Sequence, residues 1–160
     1  MSNSKKMEQT LIIIKPDGVQ RGFIGRIVAR FEAKGLQVIG LKMMQISQQL
    51  AAEHYAVHKT KPFYKGLVSF MTKSPVALIA LRGVDAVAIS RKMMGATFGP
   101  NAEPGTIRGD YGVSKSFNLI HGSDSPAAAK EELARFFKRE EIVEYTMPIQ
   151  SWVYDTEDLA

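Results

Sequence analysis

Thr10-Leu11-Ile12-Ile13-Ile14-Lys15-Pro16-Asp17-Gly18 is the stretch on which the fold turns. A short continuous run of apolar and β-branched residues halts at Lys-Pro-Asp-Gly. That pattern predicts a buried strand followed by a tight turn. Downstream, Ile24, Ile27, Val28 and Phe31 recur at spacings of three and four, so Phe23 to Lys34 reads as an amphipathic helix with Gly35 as its C-terminal cap. Leu36 to Ile46 is rich in apolar residues with partial alternation and reads as a second strand.

Ser47 is a good N-cap for a helix through Leu50, Glu53, His54 and Tyr55, broken at Pro62. Phe63 to Met71 is a further short helix, with Phe63, Leu67 and Phe70 in step. Val76 to Leu81 predicts a third strand, and Asp85 to Met94 a helix ended by Gly95. Residues 95–116 hold five of the thirteen glycines, together with Pro100 and Pro104, and read as a long irregular loop of the functional kind. Phe117 to Ile120 predicts the fourth strand, and Ser125-Pro126 opens a last helix that turns Leu133, Phe136 and Phe137 inward. The order β-α-β-(αα)-β-α-loop-β-α predicts an α+β fold, with helices covering a ferredoxin-like four-stranded antiparallel sheet of split β-α-β topology. A doubly wound parallel sheet is the alternative.

The 160 residues suit one domain with a proper core. We expect a leader over 1–9, a single domain over 10–155 and an acidic tail over 156–160. A hydrophobic fraction of 45% with 23% charged residues excludes disordered and fibrous classes. No apolar run approaches the ~20 residues of a membrane span, so no membrane partner is expected. No secretory signal is evident at the start, and the absence of cysteine excludes disulfides, zinc-thiolate sites and thiol nucleophiles. We expect a cytoplasmic protein. The net charge of +5 suits an anionic small molecule or a nucleic acid and decides nothing alone. Lys5-Lys6 reads as part of a solvated tail.

The chain has three histidines, His54, His58 and His121. His121 ends a predicted strand just before a helix start, where backbone N–H groups favour an anion. Gly122 removes bulk on one flank, so the imidazole is open to approach. Taken alone, a histidine satisfied by hydrogen bonds within the turn is the plainer reading. His54 and His58 stand four residues apart, but Glu53 precedes the pair rather than lying inside it, so ordinary helix surface is expected and no metal site. The Walker phosphate loop is absent, and Gly22-Phe23-Ile24-Gly25-Arg26 is too short for a dinucleotide fingerprint. Lys15, Arg91 and Arg108 are cations beside glycines or at loop edges, types suited to phosphate, although each alone reads equally as a solvated or paired surface charge.

Taken together, these residues carry a resemblance. Asn118-Leu119-Ile120-His121-Gly122-Ser123-Asp124 resembles the active-site signature of the nucleoside diphosphate kinase family. Leu11 to Gly22, Glu53-His54-Tyr55, Pro62-Phe63, Pro104 to Asp110 and Trp152-Val153-Tyr154 resemble further family segments in order, covering about Thr10 to Asp155.

The resemblance implies transfer of a γ-phosphoryl group, typically from ATP, to a nucleoside diphosphate, in two steps through a phosphohistidine on His121. It implies that Lys15, Tyr55, Arg91, Thr97 and Arg108 contact phosphates and that Asn118 bonds the sugar hydroxyls. Phe63 would stack on the base with Leu67 beside it, and Ser123 and Glu132 would orient the histidine. Stacking carries no hydrogen-bond code, which would account for tolerance of any base and of ribose or deoxyribose. Mg²⁺ is expected on the nucleotide phosphates, with no metal ligands from the protein.

Nucleoside di- and triphosphates are thus the expected partners. A homo-oligomer is implied as well, a hexamer ahead of a tetramer because of the tail through Trp152 and Tyr154. Departures from the family pattern fall at Thr97 to Ala102, where subunits meet in family oligomers, at Lys115 near the base, often aliphatic elsewhere, and at Val57, often acidic. A nucleic-acid-binding scaffold on the same fold stands as a competing or secondary role, motivated by the +5 charge. A histidine phosphocarrier that uses no nucleotide is a weaker third.

Overall fold

The structure is a computed structural model that describes residues 7–159. A four-stranded sheet at its centre is formed by β1 (Met7–Ile14), β2 (Gln37–Met44), β3 (Val76–Val84) and β4 (Ile120–Gly122). Spatial order is β2-β3-β1-β4 and every neighbouring pair is antiparallel. This is the split β-α-β, ferredoxin-like arrangement, and it excludes the doubly wound parallel alternative. Two-residue periodicity within the apolar run of β1 builds both halves of the core. Leu11 and Ile13 face a layer with Val68, Met71, Leu133 and Phe136, contributed by α4 (Tyr64–Thr72) and α7 (Pro126–Phe136). Ile12 and Ile14 face Ile27, Phe31 and Met94 on the other side, from α2 (Ile24–Ala33) and α5 (Ala86–Met94).

Local chemistry explains most element boundaries. Ser47 Oγ accepts from Leu50 N at the start of α3 (Gln48–His54), and Ser125 Oγ from Ala128 N at the start of α7. Gly35, at φ +96°, follows α2 in the left-handed region and lies against Val153. Asp85 also takes a left-handed conformation, φ 51°, and Glu8 accepts from Val87 N at the first turn of α5.

Several boundaries differ from the sequence reading. Lys15-Pro16-Asp17-Gly18 is not a tight turn: Pro16–Gln20 forms a short helix, α1, with proline at its first position, where a missing N–H costs nothing. The expected leader over 1–9 ends in ordered strand, since Met7, Glu8 and Gln9 pair with Val84, Gly83 and Arg82, and residues 1–6, with Lys5-Lys6, lie outside the described residues. His58 is not on the helix of His54; it lies in a separate turn, Ala56–His58, so α3 ends well before Pro62. The loop over 95–116 contains one turn at Gly99–Asn101 and a short helix, α6 (Ile107–Tyr111). The fourth strand is Ile120–Gly122 rather than Phe117 to Ile120, because the backbone turns sharply at Leu119 before pairing with β1. At the far end α8 (Gln150–Val153) leads to Tyr154, whose hydroxyl accepts from Val84 N, and Thr156–Asp158 forms one further turn.

Candidate active site

Strand alternation decides where the nucleophile candidate points. His121 pairs with Ile13 in the β1–β4 ladder and shares the face covered by α3, α4 and α7. Gly122 takes the opposite face, where a Cβ would lie 2.6 Å from Met94 Sδ. Its glycine therefore lets α5 pack against the sheet, and the expectation that it opens an approach to His121 is corrected.

His121 Nε2 lies 3.0 Å from Glu132 Oε2 on α7, and Ser123 Oγ donates to the same oxygen at 2.7 Å. Burial pushes the Glu132 carboxyl up, but the hydrogen bond and charge of His121 and the bond from Ser123 outweigh it, leaving the carboxyl below its ordinary range. An ionised carboxylate only accepts, so the proton of a neutral His121 sits on Nε2 and the lone pair is on Nδ1. The described hydrogen bonds engage Nε2 alone.

Just before His121 the chain is strained. Leu119 has φ 69°, and Ile120 N donates to Asn118 O across it at 2.8 Å, a three-residue turn that a non-glycine residue rarely makes. Arg108 braces that turn: Nε donates to Asn118 O, Nη2 to Ile120 O and Nη1 to Gly95 O. Those bonds use three of its five N–H donors and leave two. Burial and the neighbouring Arg91 hold its pKa down to about 10, so it stays charged at neutral pH. Asp17 accepts from Leu119 N, and Lys15 N donates to Leu119 O, which ties the loop after β1 to the same turn.

The Asn118 side chain is held from two sides, since Lys15 Nζ donates to its Oδ1 at 2.8 Å and its Nδ2 donates to Thr97 O at 2.9 Å. Lys15 is buried, and burial together with Arg108 lowers its pKa to about 8 against the pull of Asp17. Arg91 donates to Gly122 O at 3.3 Å and is otherwise exposed, as is Thr97. Tyr55 is buried with a hydroxyl that has no partner, and burial raises its pKa.

Sequence reasoning missed His54. It is 7% exposed, not helix surface, and its ring stands 4.8 Å from that of His121 at 80°. Burial, then the charge of a protonated His121, with Arg135 and Lys15 and against Glu132, hold it down to about 3, so it is neutral. One nitrogen of each of these histidines and a carboxylate oxygen of Glu132 lie within 4.8 Å of one another. The signal lay in the pattern buried-face histidine followed by buried tyrosine, visible only once α3 is docked on the sheet.

Phe63 is exposed at the start of α4, with the ring of His58 5.5 Å away, and Leu67 packs partly into the adjacent core. Phe117 stacks on Phe70 of α4 at 5.2 Å and 24°, so the segment carrying Lys115 lies against the same helix. Among the described residues, no hydrogen bond or ring contact joins Phe63 or Lys115 to the cluster around His121.

The site is an imidazole with a free lone pair on a strand whose entry turn is held by two buried cations, Lys15 and Arg108. A sequence model of the nucleoside diphosphate kinase family matches residues 8–142. The chain belongs to that family. A nucleoside diphosphate kinase of Carboxydothermus hydrogenoformans is 51% identical over 149 residues, covering 93% of this chain and 100% of its own. One from Bacillus cereus is 52% identical over 148 residues, covering 92% and 100%. The halophilic enzyme of Halobacterium salinarum, solved in complex with CDP, superposes with a TM-score of 0.92 at 50% identity, covering 94% of this chain and 100% of its own. A transition-state mimic of the Borrelia burgdorferi enzyme, with bound vanadate and ADP, gives 0.86 at 35% identity over 91% and 96%. As a member of this family the chain is a phosphotransferase.

Proposed function

We propose that this chain moves a γ-phosphoryl group between nucleotides by way of His121. The observation that carries the reading is the 3.0 Å contact from His121 Nε2 to Glu132, which leaves the lone pair on Nδ1. In the first step Nδ1 attacks the γ-phosphorus. The N–P bond forms, the bond from phosphorus to the β,γ-bridging oxygen breaks, and the diphosphate leaves with that electron pair. The imidazole gains positive charge in the process, which the Glu132 carboxylate stabilises through the Nε2 proton. In the second step the terminal oxygen of another diphosphate takes the phosphoryl group back off Nδ1.

Lys15, the remaining donors of Arg108, and Arg91 supply positive charge to the phosphates, and Tyr55 and Thr97 supply hydroxyls. Asn118 takes the sugar hydroxyls, and Phe63 with Leu67 carries the base, beside Lys115. Ser123 fixes Glu132. Magnesium prefers oxygen ligands and keeps its waters, whereas the donor set beside His121 is two imidazoles and one carboxylate. We therefore read Mg²⁺ as bound by the nucleotide phosphates, where it would neutralise their charge.

We also read residues 10–155 as one domain of a cytoplasmic homo-oligomer, hexameric rather than tetrameric. No described helix is long and apolar enough to cross a membrane. Leu41 and Met43 are exposed on β2 at the edge of the sheet, which supports assembly; sedimentation velocity measures the state directly.

The deciding experiment is incubation with γ-labelled ATP, followed by addition of an unlabelled diphosphate. The expected result is an acid-labile phosphoprotein that gives up its label to the second nucleotide and does not form in His121→Ala. A variant that transfers at the wild-type rate without His121 removes the mechanism.

A further inference from the structure

His54 is buried beside the nucleophile, yet phosphoryl transfer through His121 makes no use of its ring nitrogens. Its Nε2 is buried without a hydrogen-bond partner, a costly state for a polar atom. Nδ1 faces Arg135 Nη1 at 3.4 Å, and an arginine only donates, so Nδ1 accepts and the ring proton sits on the unpartnered Nε2. That nitrogen belongs to a ring standing edge-on to His121, whose own Nε2 is 3.0 Å from Glu132.

We propose that His54, His121 and Glu132 form a site for a zinc-class divalent cation that switches the nucleophile off. Two imidazole nitrogens and one carboxylate oxygen make a three-ligand set typical of zinc, leaving a fourth position for water. Their ligand atoms already lie within 4.8 Å of one another. Zinc bonds of about 2.0–2.1 Å place tetrahedral ligands roughly 3.4 Å apart, so His54 has to close by up to about 1.4 Å. Nitrogen donors favour zinc over magnesium, which separates this site from the ion carried by a nucleotide.

Occupation changes which atom of His121 holds its proton. A neutral imidazole carries one proton, here on Nε2. When the metal takes the Nε2 lone pair, that proton is released there and one is taken up on Nδ1, with no net change on the ring. Nδ1 then has no lone pair to attack phosphorus. The same exchange on His54 puts a proton on its Nδ1, facing the Arg135 donor, so Arg135 has to swing away. Lys15 and Arg135 are cations near this ring, and Glu132 is the one negative ligand. The two cations weaken binding relative to a structural zinc site.

The test is a zinc titration of the full chain without nucleotide, read by competition with a chromophoric chelator. The inhibition half rests on the kinase reading; the binding half does not, so failure of one is distinguishable from failure of the other. One zinc per chain is expected, weakened at least tenfold in His54→Gln and in Glu132→Gln and unchanged in His58→Gln. Arg135→Gln, which removes the competing donor and a positive charge, is expected to tighten binding severalfold. Phosphohistidine formation from Mg-ATP should fall with the same zinc dependence and return on addition of EDTA. Absence of zinc binding below 1 mM overturns the site, as does full binding in a folded His54→Gln. Loss of binding in His58→Gln assigns the metal to the surface instead. If His54→Gln does not fold, the direction of the Arg135→Gln change decides, and unchanged or weaker binding there rejects the proposal.

Discussion

Lys15 Nζ donates to Asn118 Oδ1 at 2.8 Å and thereby joins the end of β1 to the strained turn ahead of β4. The two residues are 103 positions apart, and the bond is buried. Asn118 also donates through its side chain to Thr97 O and accepts from Arg108 at its backbone carbonyl, so this one residue ties three cation-bearing or hydroxyl-bearing segments to the turn before His121.

The charge on Lys15 gives the clearest pH signature. Its folded pKa of about 8 is below its ordinary 10.5. Between those values the folded state holds fewer protons than the unfolded state, so the Lys15 contribution to stability rises with pH across that window. The cost of burying the charge is present in full below pH 8. Comparing urea midpoints of wild type and Lys15→Met from pH 7 to pH 10.5 should show the difference moving in favour of wild type by about 3 kcal/mol. A pH-independent difference contradicts the burial. Affinity for ADP in the free protein should fall above pH 8, as the pocket loses one cation.

Glu132→Gln exchanges an acceptor for a group that can also donate, so the tautomer of His121 is no longer fixed. A fall of about 10–100-fold in kcat/KM is expected, with slower phosphohistidine formation and little change in the unfolding midpoint. Ser123→Ala, which removes one bond to Glu132, should cost less. Rapid-quench measurement of the phosphorylated intermediate separates this effect from nucleotide release.

The stack of Phe117 on Phe70 holds the segment around Lys115 against α4, which also carries Leu67 and starts beside Phe63. Loosening it should widen the nucleoside side of the pocket without disturbing His121. Phe117→Ala is expected to raise KM for diphosphates about 3–10-fold at unchanged kcat, the size of an aromatic pair worth about 0.5–1.5 kcal/mol. Phe117→Tyr should restore it. A fall in kcat with constant KM contradicts this role.

Two glycines should differ in tolerance. In Gly122→Ala the new methyl meets the flexible end of Met94, which can shift, and a loss of about 1–3 kcal/mol is expected. In Gly109→Ala it meets the backbone carbonyl of Glu103, which is held in the turn before α6. Chemical denaturation should place Gly109→Ala below Gly122→Ala, and the reverse order contradicts the packing.

Much of the fold was legible because it rests on local chemistry. Isoleucine runs, the Ser47 and Ser125 caps and the glycines after α2 and α5 act within a few residues of themselves. At Pro16 the sequence points to a turn where the fold makes a helix, because Pro-Asp-Gly serves equally as either, and the choice is made by Lys15 N, which donates to Leu119 O, and by Asp17, which accepts from Leu119 N. The fourth strand was placed too early because the left-handed Leu119 is stabilised by Arg108, distant in sequence, and not by any local preference.

For the site, the sequence by itself determined the chemical inventory: no thiol, one histidine beside a helix start, three cations and a motif set covering nearly the whole chain. Only the tertiary structure decided how that inventory is used. It put Glu132 against Nε2, so that the lone pair lies on Nδ1, and turned Gly122 to the opposite face of the sheet. It buried Lys15 against Asn118, and brought His54 from an apparent helix surface to the ring of His121. Proton position, burial and charge proximity depend on distances of a few ångströms between residues as much as 103 positions apart, and no spacing along the chain records them.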